Sequence, residues 1–142
     1  VLAWFGFLRK FDVIFHAGTA ALLDANAHAE RIRVGAHDVA HALGGSVGCS
    51  RPLVDLAWLL HARQIGVSGH TIRPKVYLAC GISGAAQHLA GIGEAQTVIA
   101  INRDPAAPIF RVAHHGVVGD LFEIVPALTA EVLRRRASTS RP

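Results

Sequence analysis

Between Val76 and Gly93 the chain carries no Asp, Glu, Lys or Arg. An uncharged stretch of that length either crosses a bilayer or is buried inside a folded domain. Its internal punctuation decides between the two. Val76-Tyr77-Leu78-Ala79-Cys80 is suited to a strand buried on both faces, Gly81-Ile82-Ser83-Gly84 is a turn, and Ala85 to Ala90 reads as a short helix. Gly81, Ser83, Gly84, Gln87, His88 and Gly91 thus divide the stretch, and no lipid-facing cylinder is expected. A second apolar run, Thr97-Val98-Ile99-Ala100-Ile101, follows within a loop's length. Strands alternating with helices point to a parallel sheet covered on both faces.

The remaining elements extend this pattern. Phe11 to Phe15 is a short apolar run, Thr19 is a suitable helix N-cap, and helical spacing continues through Val39, Ala40 and Leu43 until Gly44-Gly45. Ser46-Val47-Gly48-Cys49 reads as a strand, and Val54 to Leu60 as helix or loop. After the Asn102-Arg103-Asp104-Pro105 turn, Ile109-Phe110-Arg111-Val112 reads as a further strand. From Asp120 a long helix presents Leu121, Ile124, Val125, Leu128 and Val132 on one face, with Pro126 kinking or restarting it.

With 142 residues, 51% of them hydrophobic, one domain with a sizeable core is expected. The net charge of +4 and pI of about 9.8 raise the question of nucleic acid. Arg134-Arg135-Arg136 and Arg141 sit together at the C-terminus, the other charges are dispersed, and aromatic residues are only 6%. That favours a basic last helical turn over a phosphate-binding face, and no nucleic-acid partner is expected. Cys49 and Cys80 have no metal-ligand spacing. His37 and His41 are spaced i,i+4 on the expected helix, but no further ligands stand at recognisable spacing, so no metal is expected. Gly44-Gly45-Ser46-Val47-Gly48 fits a hydrolase serine pattern, yet a helix precedes it and a strand follows, the reverse of a nucleophile elbow.

Gly81 to Gly84 carries more chemistry. Glycines at a strand-to-helix turn let backbone N–H groups approach a ligand, and a phosphate is favoured there. Ser50-Arg51, Ser68-Gly69, Ser83 to His88, Asn102 and Asp120 all fall at strand ends, glycine turns or helix starts, the places where an open parallel sheet takes a nucleotide.

Val47 to Pro52, Gln64-Ile65-Gly66-Val67-Ser68-Gly69, Gly81-Ile82-Ser83-Gly84-Ala85-Ala86-Gln87-His88-Leu89-Ala90-Gly91, Ala100 to Pro105 and Pro108-Ile109-Phe110 follow one another in the chain. Together they closely resemble the C-terminal FAD-binding domain of the electron transfer flavoprotein alpha subunit, over residues 37–136. The resemblance implies a Rossmann-like doubly wound parallel sheet of the DHS-like NAD/FAD-binding kind. It implies FAD as cofactor, no catalytic residues, and an electron carrier rather than an enzyme. Such a carrier takes electrons from acyl-CoA-type dehydrogenases of fatty acid beta-oxidation and passes them to a quinone-linked oxidoreductase, as a heterodimer with the electron transfer flavoprotein beta subunit.

Residue by residue, the resemblance assigns Ser83, Gly84, Ala85, Ala86 and Gln87 to the pyrophosphate and its linker. It brings His88 to the flavin O2 edge as a donor or cation, Arg51 against the isoalloxazine beside Ser50, and Ile65, Gly66, Val67 and Ser68 past the ring. Asn102, Asp120 and Leu121 would hold the adenosine end. This sequence has Val67 where the family has glutamine, His70 where it has lysine, Cys49 for alanine, and His16-Ala17-Gly18-Thr19-Ala20 where a glycine-rich loop bears an arginine. These departures keep a second reading open, a truncated or degenerate nucleotide-binding or structural relative that no longer holds FAD.

Residues 1–36 are expected to be a divergent segment supplying the first strand and helix, and 137–142 a flexible tail. No methionine occurs, so the chain is read as processed or as the cofactor half of a longer subunit, with Val1 to Leu8 packing on the missing part. No targeting segment is recognised, which favours a bacterial cytoplasm, with the mitochondrial matrix as alternative.

Overall fold

The computed structural model describes residues 13–17, 35 and 37–139. The helix expected from Thr19, the loop at Gly18 to Ala20 and the apolar opening Val1 to Leu8 lie outside the described residues.

Among the described residues five parallel strands form one sheet: β1 (Val13–Ala17), β2 (Ser46–Cys49), β3 (Val76–Cys80), β4 (Thr97–Asn102) and β5 (His115–Val118), in the spatial order β2-β1-β3-β4-β5. The first strand therefore lies inside the sheet, with Ala17 opposite both Cys49 and Cys80. Helices are α1 over residues 37–43, α2 (Arg51–Asp55), α3 (Ala86–Leu89) and α4 (Leu121–Thr139). The chain leaves β1 toward β2 on one side and returns to β3 on the other. That reversal opens a crevice at the carboxyl ends of the strands.

Alternation along β3 and β4 builds two cores. Tyr77, Ala79, Val98 and Ala100 face one cluster, with Ile65, Ile72, Ile82, Ile92 and Ile109. Leu78, Cys80 and Ile101 face the other, joined by Val39, Leu53 and Val125, and Leu121, Ile124 and Leu128 of α4 pack against it. A period of two with apolar side chains on both faces is what a sheet layered between helices requires. Pro126 lies on the exposed side of an α4 that continues past it, as one helix.

The cap of α4 is Asp120, whose Oδ1 accepts the Phe122 N–H at 2.7 Å. At its other end Arg134 and Arg135 pair with Glu131, and the Arg136 Nη1 donates to the Ala42 carbonyl at 2.6 Å. The basic cluster thus serves its own helix and the terminus of α1. α4 runs through Thr139, three residues into the segment expected as a tail.

One expected strand is corrected. Pro108–Arg111 is a turn of 3₁₀ helix, and the fifth strand comes later, at His115–Val118. Pro108 has no N–H for a ladder and its fixed φ suits the first position of a helical turn. The neighbouring N–H groups then bond within the turn, Phe110 to Ala107 and Val112 to Ile109, while Ile109 donates to Ser83 at 2.9 Å. Ile109 is apolar because it is a fully buried plug, not a strand residue.

Burial pushes the Cys49 thiol up to about 12, against a weaker opposite pull from the Arg63 guanidinium, and pushes Cys80 higher still. Both thiols are therefore expected to resist alkylation in the native protein at pH 8 and to react fully once it is unfolded; mass spectrometry after a short iodoacetamide pulse checks this.

Candidate functional site

The loop after β3 is fixed from three directions. The Gly81 N–H donates to Ile101, the Ile82 carbonyl accepts from Asn102 Nδ2 at 3.0 Å, and the Ser83 carbonyl accepts from Ile109. Gly84 completes the bend at φ +90°, in contact so close with Ile109 that a Cβ would lie 2.7 Å from its Cα. Only glycine satisfies both conditions. Among the described residues the N–H groups of Ser83, Gly84 and Ala85 donate to no backbone carbonyl.

A second loop, residues 64–70, is stitched to both neighbours. Ile65 donates to Cys49 at the end of β2, and Val67 donates to the Gln87 carbonyl of α3 at 2.9 Å. Within it, Gly66 has φ +129°, and the buried Gln64 donates from Nε2 to Ser68 Oγ at 2.7 Å. The Ser68 hydroxyl proton is left for another acceptor.

These loops and the start of α2 enclose a cleft of about 260 Å³, lined by Ser50, Arg51, Pro52, Gln64 to Ser68, Ile82, Ser83, Ala85, Gln87 and His88. Along the same carboxyl edge a smaller cavity of about 40 Å³ is lined by Gly81, Asn102, Arg103, Gly119, Asp120, Leu121 and Phe122. The structure thus brings Ser50, Arg51, Ile65, Gly66, Val67, Ser68, Ser83, Ala85, Gln87 and His88 to one wall system, and Asn102, Asp120 and Leu121 to the other. Gly84 packs beneath its loop, and Ala86 is exposed outside both cavities. Pro52, Gln64 and Ile82 belong to the first cleft without having been singled out from sequence. Gln64 stood inside a quoted block, but its buried bond to Ser68 depends on tertiary placement.

Several groups have unspent capacity. Ser50 Oγ is buried and has no hydrogen-bond partner among the described residues. A buried hydroxyl left so costs about 1–3 kcal/mol, which a ligand acceptor or donor would recover. Arg51 is exposed at the cleft mouth, in a long ion pair of 3.6 Å with Asp55 that solvent weakens. The expected helix over 85–90 is a single turn, Ala86–Leu89. An anion at this loop would be met by the loop N–H groups, because one turn has little macrodipole.

Of the two roles expected for His88, donor or cation, its surroundings favour the uncharged donor. Its Nε2 lies 2.7 Å from the Tyr77 hydroxyl, and burial pulls the imidazole down to about 4, the Ile65 backbone hydrogen bond working the other way. At neutral pH it is an uncharged ring. His37 and His41 are exposed on α1, and no group of three or more His, Cys, Asp or Glu that could hold a metal occurs among the described residues. Ser46 is buried within β2 and accepts from Arg63, a structural role unlike a nucleophile's.

A switch-point crevice with cavities along the carboxyl edge defines a doubly wound α/β domain of the ligand-binding class. Residues 8–93 match the family profile described as the electron transfer flavoprotein FAD-binding domain, a match that begins well before residue 37. The chain belongs to that family. It is 53% identical over 95 residues to the electron transfer flavoprotein subunit alpha of Thermoanaerobacterium thermosaccharolyticum, covering 67% of this chain and 29% of that protein. Against protein FixB of Rhizobium meliloti identity is 56% over 99 residues, 70% of this chain and 28% of the other. Against the subunit alpha of Bacillus subtilis it is 51% over 94 residues, 66% and 29%. The chain therefore spans under a third of the length of these relatives. Among solved structures, the sugar isomerase domain of an RpiR transcription factor from Sphaerobacter thermophilus aligns over 96% of this chain and 78% of that one, at a TM-score of 0.47 and 16% identity.

Two predictions follow from the geometry. Because the folded His88 titrates below its unfolded value, the unfolded state binds more protons between about pH 6.5 and 4. Stability is full above that window and falls as pH drops through it, by roughly 3 kcal/mol. Urea unfolding at pH 7.5 and pH 4 should show this loss in the wild type and a correspondingly smaller one in His88→Gln. Asn102→Ala strips the Ile82 carbonyl and, through Oδ1, the Asp104 N–H of their partner; a stability loss of about 1–3 kcal/mol is expected in the same assay.

Proposed function

We propose that this domain holds FAD along the two cavities and forms the cofactor-bearing part of an electron transfer flavoprotein alpha-type subunit. The observation that carries this reading is the cleft at the ends of β2 and β3, with the buried, unserved Ser50 hydroxyl in its wall, in a chain of this family. Its partners would be a beta subunit, acyl-CoA-type dehydrogenases of fatty acid beta-oxidation as donors, and a quinone-linked oxidoreductase as acceptor. The setting would be the bacterial cytoplasm; no helix among the described residues is long and apolar enough to cross a membrane.

The residues present fit the cofactor. When bound, FAD would supply the redox chemistry, and the chain supplies binding, orientation and electrostatics. Pro52, Ile65, Val67 and Ile82 offer apolar surface for a planar ring system, while Ser50 and Ser68 offer hydroxyls. The N–H groups of Ser83, Gly84 and Ala85 suit the pyrophosphate oxygens, with Ala86 and Gln87 beside its linker. Gly66 lets the second loop approach closely. Asn102, Asp120 and Leu121 border the cavity suited to the adenosine end. Arg51 favours negative charge on a reduced ring, and His88 contributes a neutral dipole.

Val67 supports the second reading, a relative that keeps the fold and not the flavin. It is 72% exposed, an apolar side chain where the family has a polar one. Titrating the purified chain with FAD, alone and with an electron transfer flavoprotein beta subunit, separates the two. A yellow complex that releases FAD on denaturation is expected; colourless protein under both conditions sinks the proposal. In the complex, Arg51→Ala should lower the flavin potential with little effect on folding, read by dye-coupled reduction and a thermal melt.

A further inference from the structure

Tyr77 is fully buried in β3, where its backbone registers with Ile14 on one side and Val98 on the other. Its hydroxyl meets His88 Nε2 at 2.7 Å, with the two rings 6.1 Å apart and tilted by 34°. His88 itself sits on a single helical turn, too short to hold a side chain rigid by its own cooperativity. The sheet, through Tyr77, supplies what that turn lacks.

The direction of the hydrogen bond follows from the partners. A phenol O–H is a stronger donor than a neutral imidazole N–H, and an imidazole nitrogen is a stronger acceptor than a phenol oxygen. The Tyr77 hydroxyl therefore donates to Nε2, and the proton of the neutral ring resides on Nδ1, since the bond made by one ring nitrogen sets the state of the other.

We propose that Tyr77 is a positioning residue of the cleft, fixing His88 as the Nδ1–H tautomer in one orientation so that the ring meets a bound isoalloxazine as a defined dipole. The inference rests on reading the cleft as a flavin site, but its first test needs no flavin.

Histidine-ring ¹⁵N spectra of the flavin-free chain at pH 7 should show His88 as the Nδ1–H tautomer. In Tyr77→Phe, which keeps the aromatic ring and removes the hydroxyl, the His88 signals should move to the Nε2–H form or to a mixture. A wild-type His88 found as Nε2–H overturns the proposal, and that spectrum decides even where Tyr77→Phe does not fold. An unchanged tautomer in folded Tyr77→Phe overturns it equally. With FAD and beta subunit present, Tyr77→Phe should weaken FAD binding about tenfold, the size of a lost buried hydrogen bond, or displace its potential. A shifted tautomer with both quantities unchanged would refute the positioning role. Wild-type protein that takes up no FAD would fail the functional reading alone, leaving the tautomer spectra to judge Tyr77.

Discussion

Burial of β3 and β4 on both faces governs everything else in this domain. Tyr77, Leu78, Ala79 and Cys80, then Val98, Ala100 and Ile101, alternate into two cores and leave neither sheet face for a ligand. Chemistry is confined to the carboxyl ends of the strands, where the backbone must turn and its hydrogen bonds pass from ladder to loop. The reversal of strand order between β1 and β3 separates those loops enough to open a crevice.

What keeps the crevice open is a set of hydrogen bonds that tie its walls to the sheet. The 64–70 loop is held by β2 through Ile65 and by α3 through Val67, and the Gly81–Gly84 loop by Asn102 and Ile109. Walls fixed before binding spare a ligand the cost of ordering them, about 0.5–1.5 kcal/mol for each immobilised side chain. Asn102 shows how a residue suggestive of ligand contact can act on the scaffold as well. It lines the smaller cavity while both ends of its amide bind backbone groups of two loops.

The inner strands were legible in the sequence because double burial writes a continuous apolar run, and the glycine turn because a left-handed φ leaves few alternatives to glycine. β5 was not, since an exposed edge strand of His115, Gly116, Val117 and Val118 imposes little on its composition, while the buried 3₁₀ turn at Ile109 imposes the apolarity of a strand. At the site, most of the residues that line the two cavities stood in blocks that resemble a known family. Gln64 and Tyr77 were not read as site residues. Each carries a generic local signal, and its role arises only where folding sets it beside Ser68 or His88. The choice between donor and cation at His88 was left open for the same reason: only its burial beside Tyr77 favours the neutral ring.

That neutrality leaves Arg51 as the charged side chain of the cleft lining and His88 as a dipole buried in its wall. Arg51 bears a full charge but is exposed, and a pair of unit charges 4 Å apart in water is worth only about 1 kcal/mol, less with salt. Near a protein surface, at an effective dielectric of about 20, the same pair is worth about 4 kcal/mol, so the weight of Arg51 grows as water is excluded around it. His88 holds only a dipole, yet it is buried, bonded to the sheet through Tyr77, and shielded from counterions. An exposed arginine depends on whatever covers the cleft mouth to exclude water from it. Tyr77 and His88 therefore contribute a fixed, buried dipole to the cleft wall, while the weight of the Arg51 charge is set by what packs over it.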